Sequence, residues 1–308
     1  MKFIKFNNLL ELFFYQYKKQ DKNNLLLSAL NKTNKNFTWE QTFISVINLS
    51  NEISKYIQKG DRCLLISENR PEWFISDLAI MLSKAITVPT YTTYTEKDYE
   101  YLIEDCEPSV VILSNSIINK KVEKFILKED FIKKVITFDV VPGAVDKKKY
   151  IDFDKVLKQS LMKNDKNTKT NLKRNSPACI IYTSGTGGNP KGVILSHGGI
   201  LNNIEGAKEI LKPLIEKKPI FLTWLPLSHS YEHTVQFVQI AVGAKVFYAE
   251  KIEKLLENIS IAKPTIMTAV PRFYQNLYYK INMNFSKATG FKSKLINSTI
   301  RLGKKKLN

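Results

Sequence analysis

Three hydroxyls, four glycines and one lysine stand between two apolar β-branched runs, Ala178 to Tyr182 and Val193 to Leu195. The stretch reads Tyr182-Thr183-Ser184-Gly185-Thr186-Gly187-Gly188-Asn189-Pro190-Lys191-Gly192-Val193. Small residues let backbone N–H groups approach an anion, while hydroxyls and an ammonium add donors and charge. The spacing predicts a strand, a polyphosphate-sized loop and a second strand. A Walker loop needs glycine before the lysine and Ser/Thr after it; Pro190 and Gly192 occupy those places. A dinucleotide fingerprint fails as well, because Pro190 sits where its third glycine belongs. A plain hairpin turn is the bland alternative, but it needs about two to five residues and neither the hydroxyls nor the lysine.

Alternating strand and helix patterns must position this loop. Thr38-Trp39-Glu40-Gln41 has capping-box spacing, with a helix predicted to about Ile57. A strand is predicted at Arg62 to Ser67, and Asn69 is expected to cap a helix carrying Pro71 in its first turn and ending near Leu82. Ile86 to Val88 reads as a strand, Glu96 to Asp105 as a helix begun by Thr95, and Val110 to Leu113 as a strand. Further strands are predicted at Lys134 to Phe138, Ala178 to Thr183, Ile220 to Trp224, Ala244 to Phe247 and Thr265 to Thr268. This order argues for an α/β fold of parallel or mixed sheets covered by helices on both faces. Residues 1–36 read as a lead-in, 163–176 as a solvated connector, and Phe291 to Asn308 as an amphipathic helix with no closing strand behind it.

Composition narrows the classes. The chain has 308 residues, of which 44% are hydrophobic and 25% charged, as in ordinary globular proteins. The net charge of +18 comes from 47 basic against 29 acidic residues, and only five of the former are arginine. Lysine and asparagine are scattered throughout, as an A/T-biased coding sequence gives, with no basic stripe interleaved with aromatics. Nucleic acid is therefore not an expected partner; weak attraction to anionic lipid is the next reading of the charge. No apolar run reaches the ~18 residues of a membrane span, and no secretory signal is evident. The expected location is cytoplasmic, with peripheral attachment at the inner face of the membrane allowed. Cys63, Cys106 and Cys179 are far apart in apolar surroundings and read as reduced core residues.

The segment from Tyr182 to Val193 resembles the phosphate-loop signature of the adenylate-forming (AMP-binding) superfamily, except that Gly187 stands where a second threonine is usual. Trp224-Leu225-Pro226-Leu227-Ser228-His229-Ser230-Tyr231-Glu232 resembles the stretch of long-chain fatty-acyl-CoA synthetases that lies beside the carboxylate being activated. Ser67 to Trp73, Val88 to Tyr91 and Ala269 to Tyr274 look like the same family, so the resemblance spans roughly Phe37 to Tyr279.

The resemblance implies an incomplete large N-terminal domain across 1–308, with the C-terminal subdomain and the small C-terminal domain absent. It implies ATP-dependent activation of a long-chain fatty acid to acyl-AMP and then acyl-CoA, with fatty acid, ATP and coenzyme A as partners and Mg2+ as cofactor. On that likeness Ser184, Gly185, Thr186, Gly187 and Gly188 surround the β/γ-phosphates, Lys191 is their counter-charge, and Thr183 offers its hydroxyl to magnesium. His229 orients the carboxylate as a neutral donor, with Trp224, Tyr231 and Glu232 as pocket residues. The bland reading of His229 is a satisfied residue at a helix start; Glu232 is open between a substrate and a basic neighbour. His229 and His233 have the i, i+4 spacing of a metal pair but lack a third ligand. Leu225 to Ser230 carries no carboxylate to meet an ammonium, which favours an unaminated acid. The family's later glutamate and adenylating lysine have no counterpart, so 1–308 alone is expected not to adenylate. The alternatives are an aryl-acid or fatty-acyl-AMP ligase of the same superfamily, or a non-catalytic module that binds nucleotide or lipid. Oligomeric state is not legible.

Overall fold

Asn8 caps helix α1 (Leu9–Lys19), its side chain accepting from the Glu11 N–H at 3.0 Å. The computed structural model describes residues 5–31, 33–158, 168, 170–183, 189–215 and 218–307. After α1, strand β1 (Leu25–Ala29) pairs antiparallel with β2 (Asn36–Thr38). Thr38 opens α2 (Trp39–Ile53) with the predicted capping box. Gln41 N–H donates to Thr38 Oγ1 at 3.1 Å, and Thr38 N–H donates to Gln41 Oε1 at 2.9 Å.

Strands and helices then alternate: β3 (Arg62–Ile66), α3 (Pro71–Leu82), β4 (Ile86–Thr90), α4 (Glu96–Cys106), β5 (Val110–Leu113), α5 (Ser116–Lys128) and β6 (Lys134–Thr137). Next come β7 (Tyr150–Asp152), the short α6 (Phe153–Leu157), and the antiparallel hairpin of β8 (Pro177–Thr183) and β9 (Lys191–Ser196). The unit continues with α7 (His197–Leu211), β10 (Ile220–Thr223), α8 (Ser230–Ala241), β11 (Lys245–Tyr248) and α9 (Leu255–Ala262).

Two mixed sheets result, ordered β7-β6-β5-β3-β4-β8-β9 and β10-β11-β1-β2. The pleat explains why the central strands are apolar throughout. Cys63 and Leu65 point into a core shared with α1, α2, α3, α7 and α8, whereas Leu64 and Ile66 point into a second core under α4 and α5. These central strands are thus buried on both faces, and the α/β class read from the sequence is the class of the fold. These contacts all lie in the unit Met1–Met267; a second unit, Thr268–Asn308, carries α10 (Pro271–Ser286) and α11 (Gly290–Leu307).

Several elements differ from expectation. Asn69 does not cap α3: Arg70 takes the N-cap position, in extended backbone, with no side-chain cap bond, and Asn69 lies one residue too early. No strand forms at Thr265 to Thr268. The N–H groups of Thr265 and Ile266 both converge on the Ile220 carbonyl, so Ile266 makes a single bridge to Phe221 and no ladder propagates. Helix α2 ends at Ile53, earlier than predicted. Within the lead-in, Leu9, Leu10 and Phe13 of α1 are fully buried and β1 is an inner strand. Of the connector, residues 163–167 and 169 lie outside the described residues. Its remainder is tied down: the Leu172 carbonyl accepts from Asn8 Nδ2 at 3.0 Å, and the Arg174 carbonyl from Gly198 N–H at 2.7 Å.

Candidate functional site

The β8–β9 hairpin sets Thr183 opposite Lys191 and Tyr182 opposite Gly192. Thr183 and Lys191 both face solvent at the base of the loop. Ser184, Gly185, Thr186, Gly187 and Gly188 lie outside the described residues. Gly192 is required by close approach: a Cβ there would lie 2.8 Å from Ile180 Cγ2 and 3.3 Å from Tyr182 Cζ. The Tyr182 ring therefore crosses the strand over Gly192, a position that no larger residue leaves open.

The segment after β10 is held from two sides. Asn69 Nδ2 donates to the Leu225 carbonyl at 2.6 Å, and Leu227 N–H donates to Asn69 Oδ1 at 3.0 Å. One amide thus pairs with two backbone groups as a strand would. Beyond it, His229 is the N-cap of α8, its Nδ1 accepting from Tyr231 N–H at 3.2 Å. That bond occupies the Nδ1 lone pair, so the neutral ring carries its proton on Nε2 and presents a donor. His229 itself is solvent-facing.

His233, one turn further, faces the other way. It is fully buried, with Nε2 2.9 Å from Asp77 Oδ2 on α3, packed edge-on to Trp73 and stacked on Phe237. Burial alone would lower its pKa, but the Asp77 carboxylate, and after it Cys179, more than offset that and raise it. The two histidines therefore do not converge on an ion, and among the described residues no group of three or more His, Cys, Asp or Glu is placed to hold a metal. Burial pushes His197, the first residue of α7, down to about 4; its Nδ1 accepts from Leu9 N–H at 3.4 Å.

A cleft of about 230 Å³ opens at the carboxyl ends of β3, β4, β10 and β11, lined by Ser67, Asn69, Tyr91, Thr92, Trp224 and Ser228 among others. Crevices outside the carboxyl ends of parallel strands are where α/β sheets bind ligands. Since β8 runs parallel to β4, the phosphate-type loop leaves the same edge of the sheet. Of the residues expected to form the pocket, Trp224 lines this cleft. Tyr231 is about half exposed and Glu232 is fully buried; neither lines it. Glu68, Glu250 and Lys251 also line the cleft.

Beneath the cleft a buried ionic cluster fixes the turn into α3. Arg70 is 1% exposed and grips Glu72 with two bonds of 2.9 Å, while its Nη2 reaches Asp139 at 3.0 Å and Lys35 reaches Glu72 at 3.3 Å. The roles of Asn69 and Asp77 escaped sequence reasoning. Asn69 reads as an ordinary cap, and nothing local marks an acid whose partner lies 156 residues away.

Comparison with known proteins agrees with this architecture. The model of the family "AMP-binding enzyme" matches residues 16–303. Long chain acyl-CoA synthetase 3 of Arabidopsis thaliana is 30% identical over 272 residues, covering 84% of this chain and 40% of its own. Fatty acyl-CoA synthetase A of Dictyostelium discoideum is 30% identical over 286 residues, covering 86% and 41%. The chain thus spans about 40% of the length of these curated relatives. Among solved structures, ATP-bound MatB from Rhodopseudomonas palustris superposes with a TM-score of 0.71 at 20% identity, covering 88% of this chain and 51% of that one. With the matched segment running through both sheets and the hairpin loop, the chain belongs to the AMP-binding enzyme family.

Proposed function

We propose that this chain supplies the ATP-gripping part of a ligase that activates a long-chain fatty acid, first as acyl-AMP and then as acyl-CoA. The observation that carries this reading is the pairing of Thr183 with Lys191 across the base of the β8–β9 loop, on the same sheet edge as the cleft beside His229. In the reaction a carboxylate oxygen attacks the α-phosphorus of ATP, forming the acyl–phosphate bond as the α–β bridging bond breaks and pyrophosphate leaves. Two anions must meet, so charge neutralisation and alignment supply most of the acceleration. Lys191 neutralises the departing phosphates, with the loop residues 184–188 as backbone donors. The Nε2–H of His229 is suited to donate to a carboxylate oxygen, because its other nitrogen is occupied by the helix cap. Thr183 offers one hydroxyl, too little for an all-protein Mg2+ site; the ion would be held largely by the nucleotide and would offset phosphate charge there. Coenzyme A then takes the acyl group as a thioester. The names of the relatives and the absence of a carboxylate between Leu225 and Ser230 support a fatty acid as substrate.

Titrating purified 1–308 with MgATP tests the grip. We expect saturable binding that Lys191→Ala weakens by about tenfold or more, the worth of one charge-assisted hydrogen bond. Absent binding, or equal binding by the variant, overturns the reading. Pyrophosphate release with ATP, magnesium and oleate is expected to be nil for 1–308.

A further inference from the structure

Helix α4 carries no expected site residue, yet it touches both stems of the loop. Tyr101 donates its hydroxyl to the Pro190 carbonyl at 3.0 Å, on the stem that leads into β9. One turn on, Asp105 accepts from the hydroxyl of Tyr182, on the stem that ends β8. Residues four apart share a helix face, so one face of α4 spans the mouth of the loop. We propose that Tyr101 and Asp105 are positioning residues that hold the two stems of the 182–193 loop in register for the phosphates.

Three further observations support this. Tyr182 is 5% exposed and belongs to the core under α4, packed with Leu102, Ile103 and Cys106, so its hydroxyl has a fixed direction. Burial, reinforced by the Asp105 carboxylate, raises its pKa above the usual phenol value, so it stays a donor at physiological pH. Its ring passes over Gly192, where a Cβ would meet the Tyr182 ring and Ile180. A tyrosine at one stem, a glycine opposite it and an acid on the helix behind are then one device: glycine opens the path that the ring takes to reach the acid.

This inference rests on the loop's being a polyphosphate grip, and the test separates the two. Tyr101→Phe removes one hydroxyl bond, Asp105→Ala removes the other acceptor, and Asp105→Asn keeps an oxygen to accept. Tyr150→Phe is the control, since Tyr150 loses an equivalent hydroxyl bond to Asn119 (2.8 Å) away from the loop. MgATP titration of the 308-residue chain is expected to show about fivefold weaker binding for Tyr101→Phe and for Asp105→Ala. Asp105→Asn is expected to recover most of the loss, and Tyr150→Phe to bind as the native chain does. Binding by the native chain that all four variants match overturns the positioning role and leaves the grip intact. If the native chain binds no MgATP, the grip fails, and amide exchange across 189–192 still decides the clamp. Exchange is expected to be faster in Tyr101→Phe and Asp105→Ala than in Tyr150→Phe; equal exchange overturns the proposal.

Discussion

The buried pair of Asp77 and His233 ties α3 to α8 directly behind the turn that presents His229. Both side chains are fully buried, their contact is 2.9 Å, and Trp73 and Phe237 enclose the imidazole. Removing one partner of such a pair leaves a stranded polar group or charge, which costs about 3–5 kcal/mol. For a unit of this size one kcal/mol corresponds to about 2–4 °C in Tm, so Asp77→Leu or His233→Phe alone lowers Tm by about 6–20 °C. Replacing both with apolar residues of similar volume removes the stranded group as well. The double variant is therefore expected to sit within about 2 kcal/mol of the native chain, far above the sum of the singles.

The pH dependence has a definite sign. Because the folded value of His233 is raised to about 10 against about 6.5 in the unfolded chain, the fold holds a proton that the unfolded chain releases. The pair's contribution is full below pH about 6.5 and declines as pH rises towards 10. Thermal melts of the native chain, both singles and the double, at pH 6.5 and 9.5, check this. Additive losses within about 0.5 kcal/mol, or a gap between the native chain and Asp77→Leu that widens at pH 9.5, would refute the reasoning.

Four other outcomes follow from the same geometry. His197 is depressed to about 4, so the unfolded chain takes up a proton that the fold refuses, and stability falls as pH drops from about 6.5 to 4; melts of His197→Gln across that range are expected to be flatter. Arg70→Lys keeps a charge but loses the two-pronged grip on Glu72 and the bond to Asp139, and is expected to cost about 3 kcal/mol by chemical denaturation. Cys63, Cys106 and Cys179 are free and buried, and burial raises the thiols of Cys63 and Cys106, the latter to about 12; a thiol reagent is expected to label none of the three until denaturant is added. Gly192→Ala forces the Ile180 and Tyr182 side chains apart, costing about 1–3 kcal/mol, and is expected to weaken MgATP binding in the same titration that tests Lys191.

Regular patterns were legible in the sequence wherever a local rule governs. The capping box at Thr38, the helix start at Thr95, the double-sided apolar strands β3, β5 and β6, and the hairpin around the glycine loop all follow from spacing that neighbours in the chain decide. What escaped depends on partners distant in sequence. Leu25 to Ala29 is a strand because β11, more than 200 residues on, offers a parallel edge. Asn69 leaves the expected cap because the Leu225 and Leu227 backbone competes for its amide and Pro71 needs no cap at its missing N–H. Thr265 to Thr268 has the composition of a strand but finds one carbonyl instead of a ladder. At the candidate site, motif spacing singled out Thr183 and Lys191, which pair at the loop base, and His229, which caps α8. It could not show that Glu232 turns into the core while Tyr231 turns out, since both follow from how α8 packs.

The two halves of the proposed chemistry hang from neighbouring strands. Strand β3 feeds Asn69 and α3, which hold the His229 segment through the Leu225 and Leu227 backbone and through Asp77. Strand β4 leads on to α4, which holds the loop stems through Tyr101 and Asp105. The helices pack on opposite faces of one sheet, in separate cores, so each half is set by its own packing and only the sheet sets their separation. Substitutions confined to the α3 core are thus expected to disturb the carboxylate side while sparing MgATP binding, and those confined to α4 the reverse. A cavity at Leu64 opens in the α4 core, where Leu64 and Val88 lie on paired strands of the sheet centre, and is expected to weaken MgATP binding while sparing the carboxylate side. Leu64→Ala measured for MgATP affinity and for the Nε2 chemical shift of His229 tests this: movement of both observables together would show that the halves are coupled through the sheet.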